Sequence, residues 1–92
     1  MYQVTDGNLE PTGYQQINDL SAVRGLNPQG GRIALIQAVS RRVRWRDDGE
    51  DPTPTVGMLL VAGQDFWYTG DVKKIRFIEV SAGAELNISF YR

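Results

Sequence analysis

Cysteine and histidine are both absent from this chain. Without cysteine there is no disulfide framework and no thiolate metal site. Without histidine the Ser-His-Asp and Cys-His arrangements disappear, and with them the commonest transition-metal ligands. A charge imbalance is missing too: ten basic side chains meet eleven acidic ones, for a net charge of −1. A general nucleic-acid binder draws its affinity from neutralising phosphates, so a near-neutral chain disfavours that class. Long apolar runs are also lacking. The longest, Val56 to Gly63, falls far short of the ~20 residues that cross a bilayer as a helix. Met1-Tyr2-Gln3-Val4-Thr5-Asp6 shows no charged start followed by an apolar stretch, so no secretion signal is expected. The expectation is a soluble protein made in a cytoplasm, with neither nucleic acid nor membrane as a partner.

What is present reads as strand. Residues 1–92 are taken as one domain, with 1–13 set aside as an extended N-terminal arm. Ten glycines and four prolines cut the chain into short pieces rich in Val, Ile, Tyr, Phe and Trp, the residues that suit a pleated, half-buried surface. The C-terminal piece is the clearest: Leu86, Ile88 and Phe90 alternate with Asn87, Ser89 and Tyr91, giving one apolar face and one polar or aromatic face. Arg42, Arg44 and Arg46 alternate with Val43 and Trp45, which places the latter two inward. Ile33 to Ala38 is apolar on both faces and is expected to be a central strand covered on each side. Val56 to Val61, Phe66 to Thr69 and Ile75 to Val80 follow, and Tyr14 to Leu20 is a weaker candidate. Helix competes over Ile17 to Val23 and Ile33 to Val43. The sum, about seven short strands with frequent turn residues, predicts an all-β fold, a small β-sandwich of jelly-roll type. A core this small, with no covalent staples, favours a homo-oligomer or attachment to a larger body.

The chemistry-bearing candidates are few. Asp47, Asp48, Glu50 and Asp51 form one acidic turn; the plain reading is a solvated loop whose carboxylates keep ordinary pKa values. Calcium is the sharper alternative, since hard cations take oxygen ligands, yet the spacing is not that of an EF-hand. No catalytic residue, metal ligand or cofactor is therefore expected, and the chain reads as non-enzymatic. Arg42, Arg44 and Arg46 project from one side of a strand at about 6.8 Å intervals. They are either a solvated face paired with nearby carboxylates or a protein contact, where arginine is enriched. In Phe66-Trp67-Tyr68, Trp67 points opposite to its neighbours, leaving core packing, a protein interface and a sugar platform as its options. Tyr91 and Arg92 are expected on a strand edge that a partner covers. The binding candidates are Arg42, Arg44, Arg46, Trp67 and Tyr91, with Tyr14 as a further aromatic anchor.

Taken together, Arg32–Ala38, Val43–Gly49, Pro52-Thr53, Gly57-Met58, Trp67–Asp71, Ile75–Ile78 and Ala84–Tyr91 form a pattern of strand ends and turns. It resembles small structural proteins encoded in the head-morphogenesis regions of tailed bacteriophages, over residues 14–92. The resemblance implies a virion component, a capsid decoration or cement protein of β-sandwich fold. Such a protein binds and stabilises the major capsid protein shell, or contacts other virion proteins, as a dimer or trimer. It would sit on the capsid surface of the virion, after assembly in the host cytoplasm. The alternatives are a tail or head-tail connector component and a carbohydrate-binding host-attachment module. One departure is visible. Similar sequences carry a tight turn near positions 39–40, whereas this chain has Val39-Ser40-Arg41, for which a strand running through with a bulge is expected.

Overall fold

The computed structural model describes residues 9–92. Among them are eight strands: β1 (Pro11–Ile17), β2 (Arg24–Gly25), β3 (Ile33–Ala38), β4 (Val43–Arg46), β5 (Met58–Leu60), β6 (Asp65–Tyr68), β7 (Arg76–Glu79) and β8 (Leu86–Tyr91). The described residues contain no helix. In the first stretch where helix competed, the Asp19 carboxylate accepts from the backbone N–H and the hydroxyl of Ser21 at 3.0 and 2.6 Å. That closes an Asx-type turn instead of capping a helix. The extra strand relative to the sequence expectation is β2, two residues long.

The strands form two four-stranded antiparallel sheets, ordered β1-β8-β3-β6 and β2-β7-β4-β5. The first strand pairs with the last, the second with the seventh, the third with the sixth and the fourth with the fifth. The chain is thus one long hairpin whose two arms are wrapped over each other into a β-sandwich-like architecture. Further ladders between β3 and β8 and between β4 and β7 complete the sheets.

A single core lies between the sheets. From the first sheet come Ala34, Ile36, Ala38, Leu86, Ile88 and Phe90; from the second come Val43, Leu60 and Phe77, all buried. Each large side chain removed from water contributes about 1.5–3 kcal/mol. Trp45 of β4 stacks on Phe66 of β6 at 5.4 Å between centroids and meets Tyr68 edge-on at 6.0 Å. This ring cluster ties the two sheets together.

Four expectations are corrected. The described part of residues 1–13 is not an arm, because Pro11–Gly13 belong to β1 and Glu10 exchanges two backbone hydrogen bonds with Arg92; residues 1–8 lie outside the described residues. β8 is an interior strand, flanked by β1 and β3, so Tyr91 is not on an edge. β3 is buried on one face only, with Ile33 and Leu35 half-buried and Gln37 exposed on the other. Residues 39–42 neither turn tightly nor run through as a bulge; they carry the chain from one sheet to the other, with the Ser40 hydroxyl donating to the Gly83 carbonyl at 2.7 Å.

Candidate docking surfaces

Alternation along β4 fixes the first surface. Val43 and Trp45 turn inward, so the arginines lie on the outer face of the second sheet. The register puts Leu59 on one side of Arg44 and Ile78 on the other, and sets Arg76 beside Arg46. One step further along, Val80 bonds through its N–H to the Arg42 carbonyl. Arg42 lines an open groove of about 570 Å³ with Ser40, Arg41, Val61, Ala62, Val80 and Ser81. The arginines therefore form the midline of a face whose flanks are aliphatic beside Arg42 and Arg44, with Arg76 beside Arg46.

The three guanidinium groups are not equivalent. Arg44 is half-buried and donates to the Gly57 carbonyl at 3.0 Å, while its Nε has no acceptor among the described residues. Arg46 forks onto Asp48 at 3.0 and 2.6 Å. That hydrogen-bonded pair holds the Asp48 carboxyl below its ordinary value and raises Arg46, against the expectation of unperturbed carboxylates in this loop. Arg42 is exposed, with no side-chain partner among the described residues.

Two of the four carboxylates in the acidic turn are engaged within the fold. Asp47 accepts from the Tyr68 hydroxyl at 2.7 Å and Asp48 is taken by Arg46. Among the described residues no group of three or more acidic side chains converges on a common point.

Trp67 and Tyr91 lie on the outer face of the first sheet, their centroids 5.2 Å apart. The five candidate contact residues are thus divided between two surfaces that face away from each other. On this second surface one transverse row reads Tyr14, Ser89, Leu35, Trp67 across β1, β8, β3 and β6, and the next reads Gln16, Asn87, Gln37, Asp65. Tyr14 is 57% exposed, and its hydroxyl donates to Asn87 Oδ1 at 2.7 Å. Asn87 Nδ2 in turn donates to Gln37 Oε1 at 3.2 Å. These side chains border a groove of about 250 Å³.

Sequence reading missed the apolar rim around β5. Met58 is 60% and Leu59 42% exposed, with Val56 and Val61 also exposed. The available signal was the pair of prolines at 52 and 54 and the glycine at 57, which mark a strand at the border of a sheet. No protein-family model, curated protein or solved structure matches this chain.

Proposed function

We propose that this chain is a non-enzymatic structural protein of a tailed-bacteriophage virion, a capsid decoration protein of jelly-roll topology. It would bind the major capsid protein shell through the outer face of the second sheet. The strand orders β1-β8-β3-β6 and β2-β7-β4-β5 support the jelly-roll reading, since eight strands wrapped as a folded long hairpin describe that architecture, a frequent one in viral capsid domains. A fold hosts many functions, so the docking claim rests on the surface itself.

The observation that carries it is the arginine midline of β4 flanked by Leu59, Ile78, Val61 and Val80. Arginine among aliphatic side chains is the composition of an interface centre, where guanidinium groups reach carboxylates and the apolar flanks exclude water. The matching partner surface is acidic and partly apolar. Repetition of this contact by capsid symmetry, or by a dimer or trimer of the chain, converts a modest affinity into firm attachment.

The test uses particles from the phage that encodes the chain. A decoration protein is recovered from them in a copy number that scales with the capsid subunits, whereas a connector or tail component is recovered as a single ring. Absence from mature particles overturns the proposal. Arg42→Glu with Leu59→Glu, at two exposed positions, is expected to abolish binding to shells while the melting transition stays in place. Retained binding removes this face from the proposal.

A further inference from the structure

We propose that this chain forms a twofold dimer in which β5 pairs antiparallel with β5 of a second copy, centred on Leu59. The two sheets are bounded by β1 and β6 and by β2 and β5. β1 presents Gln15 and Gln16, β2 Arg24 and β6 Asp65, polar or charged groups of the kind that discourage strand addition. β5 instead presents Met58 and Leu59, 60% and 42% exposed. From Pro52 to Gln64 the chain carries no charged side chain. An uncharged apolar edge is the kind that another strand covers.

The backbone narrows the contact to one residue. Val80 donates its N–H to the Arg42 carbonyl at 3.0 Å, so Arg42, Arg44 and Arg46 bond sideways toward β7. Strand alternation then turns Val43 and Trp45 toward Leu60 and Met58 of β5 and leaves the N–H and C=O of Leu59 facing the open edge. On either side that edge is closed. Val61 donates its N–H to Gln64 Oε1 at 3.2 Å and accepts from the Gln64 N–H at 3.0 Å. The Gly57 carbonyl is taken by Arg44. A foreign extended peptide needs an edge several residues long to pair with. A twofold needs one open residue, because Leu59 of each copy then donates to and accepts from Leu59 of the other.

Charge selects the antiparallel arrangement. At one end of β5, Arg41 and Arg42 share a groove with Val61. At the other end Asp47 and Asp48 lie beside Gly57 and Met58, and Glu50 and Asp51 follow in the same exposed turn. Arg46 is there too, already paired with Asp48. Antiparallel pairing sets Gly57 of one copy opposite Val61 of the other, so a basic end meets an acidic end twice. Parallel pairing would bring like charges together. The dimer continues the second sheet across eight strands, with the β4 arginines of both copies on one outer face, about 14 Å apart.

The contact is small, so a weak dimer is expected, with a dissociation constant in the micromolar range. Sedimentation equilibrium of the isolated full chain, up to about 1 mM, should show a reversible monomer–dimer equilibrium. No shells are present in that measurement, so it stands or fails apart from the docking proposal. Met58→Lys puts a charge on the edge at an exposed position. It is expected to weaken the dimer by at least about tenfold while unfolding stays cooperative. Cysteine trapping reads the register, on a chain that has no cysteine of its own. Leu59→Cys places two thiols across the twofold with Cα atoms about 5.5 Å apart, within disulfide reach. Val61→Cys, also at an exposed position, places them about 14 Å apart, beyond it. Mild oxidation should link the first variant into dimers and leave the second unlinked. Three outcomes each overturn the proposal: a chain still monomeric at about 1 mM, a Met58→Lys dimer as tight as the parent's, or Val61→Cys linked as readily as Leu59→Cys.

Discussion

Tyr68 shows how one residue can serve both core and surface. Its ring packs edge-on against Trp45 and Phe66, and its hydroxyl donates to Asp47, twenty-one positions away in the chain. Burial raises the phenol well above its ordinary value near 10, and the Asp47 carboxylate adds to the rise. A folded-state value above the unfolded one gives stability that is complete below about pH 10 and is lost as pH climbs toward the folded value. Tyr68→Phe should therefore behave in two ways. At pH 7 it is expected to cost about 1 kcal/mol, the worth of one partly exposed hydrogen bond. Above pH 10 its stability should fall less steeply than that of the parent. Urea titrations from pH 7 to 11 measure both, and parallel curves for the two proteins would refute the assignment. The neighbouring Arg46–Asp48 pair, two residues apart on a turn, was within reach of sequence reading. The Tyr68–Asp47 bond was not, because nothing local brings the two together.

At the scale of the element, β4 was the most legible strand and its surroundings the least. Alternation alone sorted Val43 and Trp45 from the arginines, since successive side chains of a strand must point to opposite faces. Alternation says nothing about which strands lie alongside, so the aliphatic flank from Leu59 and Ile78 could not be foreseen. Likewise the outward residues of β8 were identified as polar or aromatic, but the rows they form with β1, β3 and β6 depend on register across the sheet. The approach to β5 illustrates a tighter constraint. Gly57 has φ of 138°, a backbone conformation that glycine alone adopts readily. A Cβ there would also stand 3.1 Å from the Trp45 carbonyl oxygen and 3.2 Å from Arg44 Cβ. Gly57→Ala is expected to destabilise by about 1–3 kcal/mol and to disturb the carbonyl that holds Arg44. Thermal unfolding reads the first effect and loss of shell binding the second. An unchanged midpoint would mean that the loop relaxes freely and that Arg44 is not positioned by it.

At the scale of the molecule, the wrapped hairpin means that most stabilising contacts join residues far apart in sequence. Pro11 pairs with Tyr91 and Ile17 with Leu86. Such topologies fold slowly, because loop closure must precede the contacts that reward it. This is also why all-β character was readable from the chain while the pairing was not. Glycine spacing and alternation are local, whereas partner choice is settled by which faces fit around a shared core. The same closure has a testable consequence. Glu10 and Arg92 exchange two backbone hydrogen bonds and their side chains meet at 3.2 Å, so the two ends of the described chain lie side by side. Gly49 and Glu50, at the far end of the hairpin, are both exposed. A circular permutant beginning at Glu50 and ending at Gly49, with Arg92 joined directly to Met1, keeps every strand intact and makes β8 and β1 neighbours in sequence. Surface termini in an exposed loop are where such rearrangements succeed. The permutant is expected to unfold cooperatively with the parent's near-ultraviolet spectrum, since the Trp45–Phe66–Tyr68 cluster is untouched by the cut. It should fold faster if the terminal pairing limits the rate, because that closure is now local. A permutant without a cooperative transition would show that the β4–β5 connection, not the pairing of the ends, is what the architecture cannot do without.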